Sequence, residues 1–544
     1  MRNLISRLHP LLILRAILLA CVATALPVAA TDAPNHGVAE HVVVIVWDGM
    51  RPDFVTPRYT PNLYQLASGG VFFTNHHPVF ISSTEVNASA IATGLYPNHT
   101  GIYANYQYFP DYFPPDHPIT AYATEKLEVV RRGDQLTGGR YLGGPTIAEM
   151  VQSAGFPTAT TGTKAVALFL DRSADRRSGP AAQSINLRQG KTLPPEALAA
   201  IEQQVGRSFP TNVTYPNVEQ DAWTTDALTR SLWKDGVPKF SMLWMSDPDY
   251  TQHRHGPGSP EALAAIASVD RNLGAVLDVL QARGVREKTD VFVLSDHGFS
   301  TIGRTTYTAG MLRTNGFNAS NKFDKPEPGQ VLAFGVGGAV LLYVTHHEPA
   351  IIQRLVEFFQ SSDHAAVIFT RHRQKGTFSF ADARLDASTT LPDLLVAMRW
   401  SPALSTNGAP GLIVSDNTGQ PGGGAHASLS PYDMHNTLIA SGPDLRRNWV
   451  DTLPTGNADL APTVLWILGL TQPQLCDGRI LGEALRDGPK KIPTPRTKIL
   501  RASKKTPDGA WQQSLTITRL GRSVYFDEGT GGSQKGDGLA QYAK

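Results

Sequence analysis

Three short runs constrain this chain more than any other feature: HVVVIV (His41–Val46), FSMLWM (Phe240–Met245) and VFVL (Val291–Leu294). Each is almost wholly apolar, with no polar residue on every second position. A half-exposed strand alternates apolar and polar side chains, so a continuous apolar run of this length is a strand covered on both faces. Between the runs lie helix-like stretches, Pro145–Ser153 and Pro260–Ala282, with apolar residues at three- and four-residue spacings. The alternation predicts an α/β domain on a central, mostly parallel sheet flanked by helices. Ligands in such sheets bind beyond the carboxyl ends of the strands, so the residues after each run carry the functional information.

Those residues are acids and histidines. Asp48 follows the first run and precedes Gly49. Asp249 and His253 follow the second, four residues apart, a spacing at which one helical turn lets both grip one ion. His255 is a weaker competitor for His253. Asp296 and His297 follow the third run, with Gly298 to turn the chain, and His426 follows Gly422–Gly424, where the backbone can crowd close to an ion. Thr84 stands at the start of a helix-compatible stretch, Glu85 to Ala92, where N–H groups and the helix dipole favour an anionic phosphoryl group. Asn87, one turn on, would donate to a phosphoryl oxygen. Taken singly, each residue has an ordinary reading as a cap, a turn residue or part of a solvated loop. Taken together they form a carboxylate–imidazole set with a hydroxyl, all at strand ends.

The set resembles that of the alkaline phosphatase superfamily, and most closely its type I phosphodiesterase/nucleotide pyrophosphatase branch, over roughly Val42 to Leu485. The NADLAPTVLWILGL and DGRILGEAL segments are part of the likeness. The resemblance implies an alkaline-phosphatase-like sandwich that holds two Zn2+. One zinc would take Asp48, Asp296, His297 and Thr84; the other would take Asp249, His253 and His426. The TGLYP run (Thr93–Pro97) sets the register, because the family's nucleophile lies nine residues before that threonine, at Thr84. Asn87 matches the family's asparagine three residues after the nucleophile. Two departures stand out. Glu85 and Val86 replace a common Phe-Pro, and Ala427 follows His426 where glycine is commoner.

Two zincs imply a mechanism. They would lower the pKa of the Thr84 hydroxyl and polarise the phosphoryl oxygen, giving a covalent phospho-threonine that water then hydrolyses. Three carboxylates against four positive charges leave the site net positive for a small-molecule phosphodiester or nucleotide. A diester's single charge suits a neutral donor, and Glu85 would repel a dianion, so a diester is the expected substrate. A phosphomonoesterase or phosphonate hydrolase on the same fold is the alternative, with Lys164 as the cation that would bind a terminal phosphate. A sulfatase would need a Cys- or Ser-x-Pro-x-Arg segment at Thr84, which is absent. A non-catalytic binding protein would be expected to have lost ligands.

Domain organisation and location follow from the rest of the chain. Its 544 residues carry a formal charge of +2, which indicates no nucleic-acid groove. Arg2, Arg7 and Arg15 precede an apolar run ending Val28-Ala29-Ala30, shorter than the about 20 residues of a bilayer span. Residues 1–30 therefore read as a cleaved export signal, for a periplasmic or secreted product with no membrane span after cleavage. Lipid anchoring at Cys21 is the lesser reading. The mature chain would keep Cys476 alone, so neither an intrachain disulfide nor a thiolate zinc site is available. A catalytic domain is expected over residues 31–488, with a small α+β insertion near 305–420 and a long surface excursion from Tyr103 to Tyr141. Residues 489–544 are expected to hold a β-hairpin and a Gly-rich disordered tail.

Overall fold

His41–Trp47 runs through the interior of a nine-stranded sheet, and Val42 to Trp47 are completely buried. The computed structural model describes residues 37–114, 117–172, 179–386, 390–416, 418–488, 492–507 and 509–535; the expected export signal lies outside them. The strand order is Trp449–Asp451, Val71–Phe73, Leu438–Ser441, Thr289–Leu294, His41–Trp47, Phe240–Met245, Thr158–Gly162, Ile185–Arg188 and Lys191–Leu193. From Thr289–Leu294 to Ile185–Arg188 every pairing is parallel. Leu438–Ser441 and Lys191–Leu193 join antiparallel on either side.

Both faces of the sheet are covered, which is why the central strands read as unbroken apolar runs. Val42, Val44 and Val46 pack with Met242, Trp244 and the helix Thr84–Thr93 on one face. Val43, Ile45 and Trp47 pack on the other face against Ile266, Val269, Leu273 and Val276 of the helix Pro260–Ala282. That helix starts where its sequence says it should: Ser259 accepts the Ala262 N–H, and Pro260 fills the first turn.

The register of the three central strands sets the level of the site. Val46 lies opposite Trp244 on one side and Leu294 on the other. Asp48 and Asp296 therefore leave the sheet at the same height. The Asp249 N–H donates to the Asp48 carbonyl oxygen at 2.9 Å, closing the third edge of the triangle.

The α+β insertion holds a six-stranded sheet, from Asn318–Ser320 to Phe378–Ser379, with the helix Pro349–Ser361 against it. A four-stranded sheet in which Ser300 pairs with Ala425 returns the chain to the core beside His297. Among the described residues no helix is long and apolar enough to cross a membrane.

Two expectations differ from the structure. The C-terminal hairpin is a three-stranded antiparallel sheet, Arg496–Thr506, Gly509–Leu520 and Ser523–Lys535. Of Gly529–Lys544, read as disordered from its glycines, Gly529–Lys535 is the end of the third strand and the remainder lies outside the described residues. The glycines permit close approach: a Cβ on Gly531 would lie 2.1 Å from the Ala366 carbonyl oxygen. The Tyr103–Tyr141 segment is also no mere surface excursion. It contains the helix Leu127–Thr137, and its end residues Tyr103 and Tyr141 are both buried. Their hydroxyls meet the Tyr343 hydroxyl at 3.1 Å and the Thr124 carbonyl at 2.9 Å.

The C-terminal sheet is therefore part of the core. Trp511 is completely buried among the insertion's apolar residues and donates its indole N–H to the Gly376 carbonyl at 2.9 Å. Trp511→Ala should cost about 3–5 kcal/mol. Urea denaturation measures this, and a loss under ~1 kcal/mol would mean that the sheet is peripheral.

Candidate metal centre

Each of three aspartates at the strand ends has one carboxylate oxygen tied down and the other free. Asp48 Oδ2 accepts from Trp244 Nε1 at 2.8 Å and meets Lys164 Nζ at 2.9 Å. Asp249 Oδ2 also accepts from Lys164 Nζ, at 2.9 Å. Asp296 Oδ1 accepts the backbone N–H groups of Gly49 and His297, both at 3.0 Å. The remaining oxygens, Asp48 Oδ1, Asp249 Oδ1 and Asp296 Oδ2, are buried with no hydrogen-bond donor. A buried acceptor without a partner costs about 1–3 kcal/mol, and more when charged.

Three histidines are oriented in the same way. Nδ1 of His297 lies 2.9 Å from the Gly298 carbonyl oxygen, that of His426 2.9 Å from Ser82 O, and that of His253 2.9 Å from Gly424 O. A carbonyl only accepts, so each Nδ1 carries a proton, and Nε2 is the ring atom turned toward the carboxylates. His297 Nε2 lies 3.3 Å from Asp296 Oδ2 and 3.5 Å from Asp48 Oδ1. His253 Nε2 and His426 Nε2 lie 3.2 and 3.8 Å from Asp249 Oδ1. Lone pairs face lone pairs here, an arrangement that a cation resolves. Two overlapping sets have ligand atoms within 4.8 Å of one another: Asp48, Asp296 and His297, and Asp249, His297 and His426. His297 borders both sets, its ring stacked on that of His426 with centroids 3.7 Å apart.

The electrostatics follow from burial and neighbours. Desolvation, with the Asp296 charge, raises the pKa of Asp48 well above the carboxylate range. Desolvation pushes Asp249 the same way, yet Lys164 and His253 hold it well below. The difference is that Asp48 also faces other carboxylates. Desolvation would lower the Lys164 pKa, but Asp249 and Asp48 raise it well above that of a free lysine. Burial, then His297 and His253, lowers His426 far below an ordinary histidine, so its ring is neutral and ready to ligate.

Thr84 begins its helix after an extended Ser83, and Thr84 Oγ1 is 3.3 Å from His297 Nε2. The structure therefore brings Asp48, Thr84, Asp249, His253, Asp296, His297 and His426 together. His255 is directed elsewhere, with its Nδ1 4.0 Å from Glu261.

Two other expected roles need correction. Asn87, completely buried, donates its amide to the carbonyls of Val79 and Ser83 at 3.3 and 3.1 Å, and its Oδ1 accepts from Val79 N and Asn457 Nδ2. No proton is left for a phosphoryl oxygen. Asn457 in turn donates to the Asp296 carbonyl at 2.6 Å, which ties Asn87 to the end of the Asp296 strand. Lys164 is not presented to substrate either, because its ammonium bridges Asp48 and Asp249. Glu85, expected to repel a dianion, is buried, and desolvation and the Glu125 charge raise its pKa well above the carboxylate range.

Asn105 went unread in the sequence, where it lies in an aromatic stretch with no local pattern. Its Oδ1 accepts the Glu85 N–H at 3.2 Å, and its Nδ2 has no partner among the described residues. The residue after His426 also explains itself. Ala427 has φ +74°, a left-handed conformation that glycine adopts without strain.

Comparison with known proteins bears on the family of the chain. A family model described as type I phosphodiesterase / nucleotide pyrophosphatase matches residues 42–422. A venom phosphodiesterase of Macrovipera lebetinus is 24% identical over 279 residues, covering 50% of this chain and 27% of that protein. Ectonucleotide pyrophosphatase/phosphodiesterase family member 7 of Homo sapiens is 23% identical over 283 residues, covering 51% of this chain and 52% of that protein. The match thus spans about a quarter to a half of these relatives' length. Among solved structures, human ectonucleotide pyrophosphatase/phosphodiesterase 5 superposes with a TM-score of 0.56 at 16% identity, over 82% of this chain and all of that one. The murine counterpart, as an inactive threonine-to-alanine form in complex with AMP, gives a TM-score of 0.55 at 17% identity, with 82% of this chain and 100% of that chain covered. At these identities the structural likeness speaks for the fold alone.

The two asparagines should separate in stability. Asn87→Ala strands the Val79 N–H and the Asn457 amide, each at about 1–3 kcal/mol, whereas Asn105→Ala strands only the Glu85 N–H and should cost about half as much or less. Denaturant unfolding of both variants checks this, and equal losses would contradict it.

Proposed function

The chain belongs to the type I phosphodiesterase/nucleotide pyrophosphatase family, and from that membership we propose that it is an exported two-zinc hydrolase acting through Thr84. Its substrates are phosphodiester or nucleotide pyrophosphate bonds, and a phosphorylated Thr84 is the covalent intermediate. One observation carries this reading: three orphaned carboxylate oxygens face three imidazole lone pairs, with the Thr84 hydroxyl at their edge. Asp48, Asp296, His297 and Thr84 would hold one ion, and Asp249, His253 and His426 the other. Imidazole makes up half of the non-nucleophile ligands, which favours zinc over magnesium.

When bound, the ions supply Lewis acidity that lowers the Thr84 hydroxyl pKa and offsets charge on the phosphoryl oxygens. The chain's own groups do the rest. Thr84 Oγ attacks phosphorus, its bond forming as the bond to the leaving oxygen breaks, and the leaving group departs as the protonated alcohol or phosphate. Water then attacks phosphorus, and Thr84 Oγ leaves with a proton, regenerating the hydroxyl. The N–H groups at the helix start and Asn105 Nδ2 are the donors to non-bridging oxygens, the role expected earlier of Asn87. Lys164 fixes Asp48 and Asp249 so that their free oxygens point to the ions. A cleft of about 790 Å3, walled by Tyr215, Tyr250 and Arg254, opens beside His253 and would take the leaving group.

Diester over monoester follows from the cations. Lys164, the candidate for binding a terminal phosphate, is engaged by two carboxylates, so the monoester reading loses its charge partner. Glu85 adds little to this argument, since burial and the Glu125 charge disfavour its charged form. The AMP held by the murine neighbour supports a nucleotide as one substrate class. Relatives named as venom and ectoenzyme proteins support export.

Purified protein should carry zinc at this centre, and chelation should abolish activity; full activity without metal would sink the mechanism. Thr84→Ala should lower turnover by orders of magnitude while retaining most of the metal. Asn105→Ala should lower kcat/KM on a nitrophenyl phosphodiester by about 10²-fold, as the loss of an oxyanion donor does. The wild type should prefer that diester to the matching monoester in initial rates. A reversed preference would point to phosphomonoesterase instead.

A further inference from the structure

A second group of metal-ligating side chains lies outside the centre just described. His77 stands in a two-residue strand, His76–His77, that pairs with Thr455–Gly456. His435 follows the loop that holds Asp433, and Asp527 lies on the last strand of the C-terminal sheet. Their candidate ligand atoms lie within 4.8 Å of one another.

The chemistry of this trio repeats that of the first centre. His77 Nδ1 is 3.0 Å from the Thr455 carbonyl oxygen, and His435 Nδ1 is 3.0 Å from the Pro431 carbonyl oxygen. Both Nδ1 atoms therefore carry protons, which leaves Nε2 of each neutral ring as a lone pair. The rings lie close, with centroids 4.5 Å apart. Asp527 also divides its two oxygens, although its Oδ1, unlike the orphaned oxygens of Asp48, Asp249 and Asp296, already faces a ring nitrogen at hydrogen-bond distance. Its Oδ2 accepts from the Thr518 hydroxyl at 2.9 Å, and its Oδ1 lies 3.2 Å from His77 Nε2.

Without a cation, that last contact needs a proton between His77 Nε2 and Asp527 Oδ1. The contact has a wholly buried imidazole on one side, with a second imidazole against it. Burial and the His77 neighbour hold the His435 ring neutral, its pKa pushed down to about 4. A cation between the three takes the place of that proton, with both Nε2 atoms and Asp527 Oδ1 as ligands at once. Two imidazoles and one carboxylate suit zinc.

We propose that His77, His435 and Asp527 form a third zinc site, separate from the proposed catalytic pair, that fastens the C-terminal sheet to the catalytic core. The fourth position falls at the Asp527 edge, where that side chain is 21% exposed and water can complete the shell. The fastening has reach on both sides. His77 heads the segment that leads to Thr84. The His435 carbonyl abuts Gly298, where an added Cβ would lie 2.4 Å from it, one residue from His297.

Crystals of the wild-type protein grown with zinc chloride decide the matter by anomalous difference maps on either side of the zinc edge. The expected result is a peak about 2.0–2.1 Å from His77 Nε2 and His435 Nε2. Peaks at the Asp48 and Asp249 sets with none here would overturn the proposal and leave the catalytic reading intact; the converse would do the opposite. In solution, Asp527→Asn and His435→Gln should each bind one zinc fewer per chain than wild type by elemental analysis, with phosphodiester turnover within about twofold. Unchanged stoichiometry in both folded variants would also overturn it.

Discussion

The parallel register of His41–Trp47 between Phe240–Met245 and Thr289–Leu294 is the constraint on which the rest of the site depends. Parallel strands in register end at one level, so the residues just past their ends are neighbours however far apart they lie in the chain. Asp48 and Asp296 meet because Val46 is level with Leu294, and Asp249 joins them through a backbone bond to Asp48. A shift of one residue in either pairing would turn the apolar side chains to the wrong face, with Val43, Ile45 and Trp47 exchanging sides with Val42, Val44 and Val46. The two covered faces thus guard the geometry of the site from a distance.

Within that frame the protein solves a second problem, which is how to hold several carboxylates together in a dry interior. Burying like charges is unfavourable, and the raised pKa of Asp48 records it. Trp244 and Lys164 offset part of the cost by binding the outer oxygens, which leaves the inner ones aligned. Backbone carbonyls do the same for the imidazoles by fixing the proton on Nδ1. The lysine's place is therefore structural in origin. Among the described residues it is the one cation that touches both Asp48 and Asp249, and it makes the free oxygens point inward. Metal binding and folding should be coupled in such a site, because the unfolded chain has no preformed set of lone pairs.

The C-terminal sheet extends the same logic to the far side of the centre. Leu515, Ile517, Val524 and Phe526 share one apolar cluster with Phe80 and Ile81, in the segment that delivers Thr84. The glycines at its end let its backbone approach the insertion. Asp527 sits at the point where this sheet meets His77. Stability at the periphery and geometry at the nucleophile are thus linked by contiguous packing.

What the sequence determined by itself was the sheet and the inventory of its ends. Burial on both faces is a property of composition, so the three apolar runs announced themselves, and the acids and histidines after them could be read in order. The family likeness then grouped those residues around ions. Spacing could not say where a side chain's hydrogen bonds go. Asn87 stands one turn after Thr84 and reads as a donor, yet Val79, Ser83 and Asn457 take all its bonding capacity. Lys164 reads as a surface cation, yet it lies between two carboxylates more than eighty residues away on the chain. Asn105 had no local pattern, and Gly529–Lys535 read as disorder because glycine serves both flexible tails and close backbone contact. Tertiary structure alone decided these four, since each depends on a partner that the chain brings near only by folding.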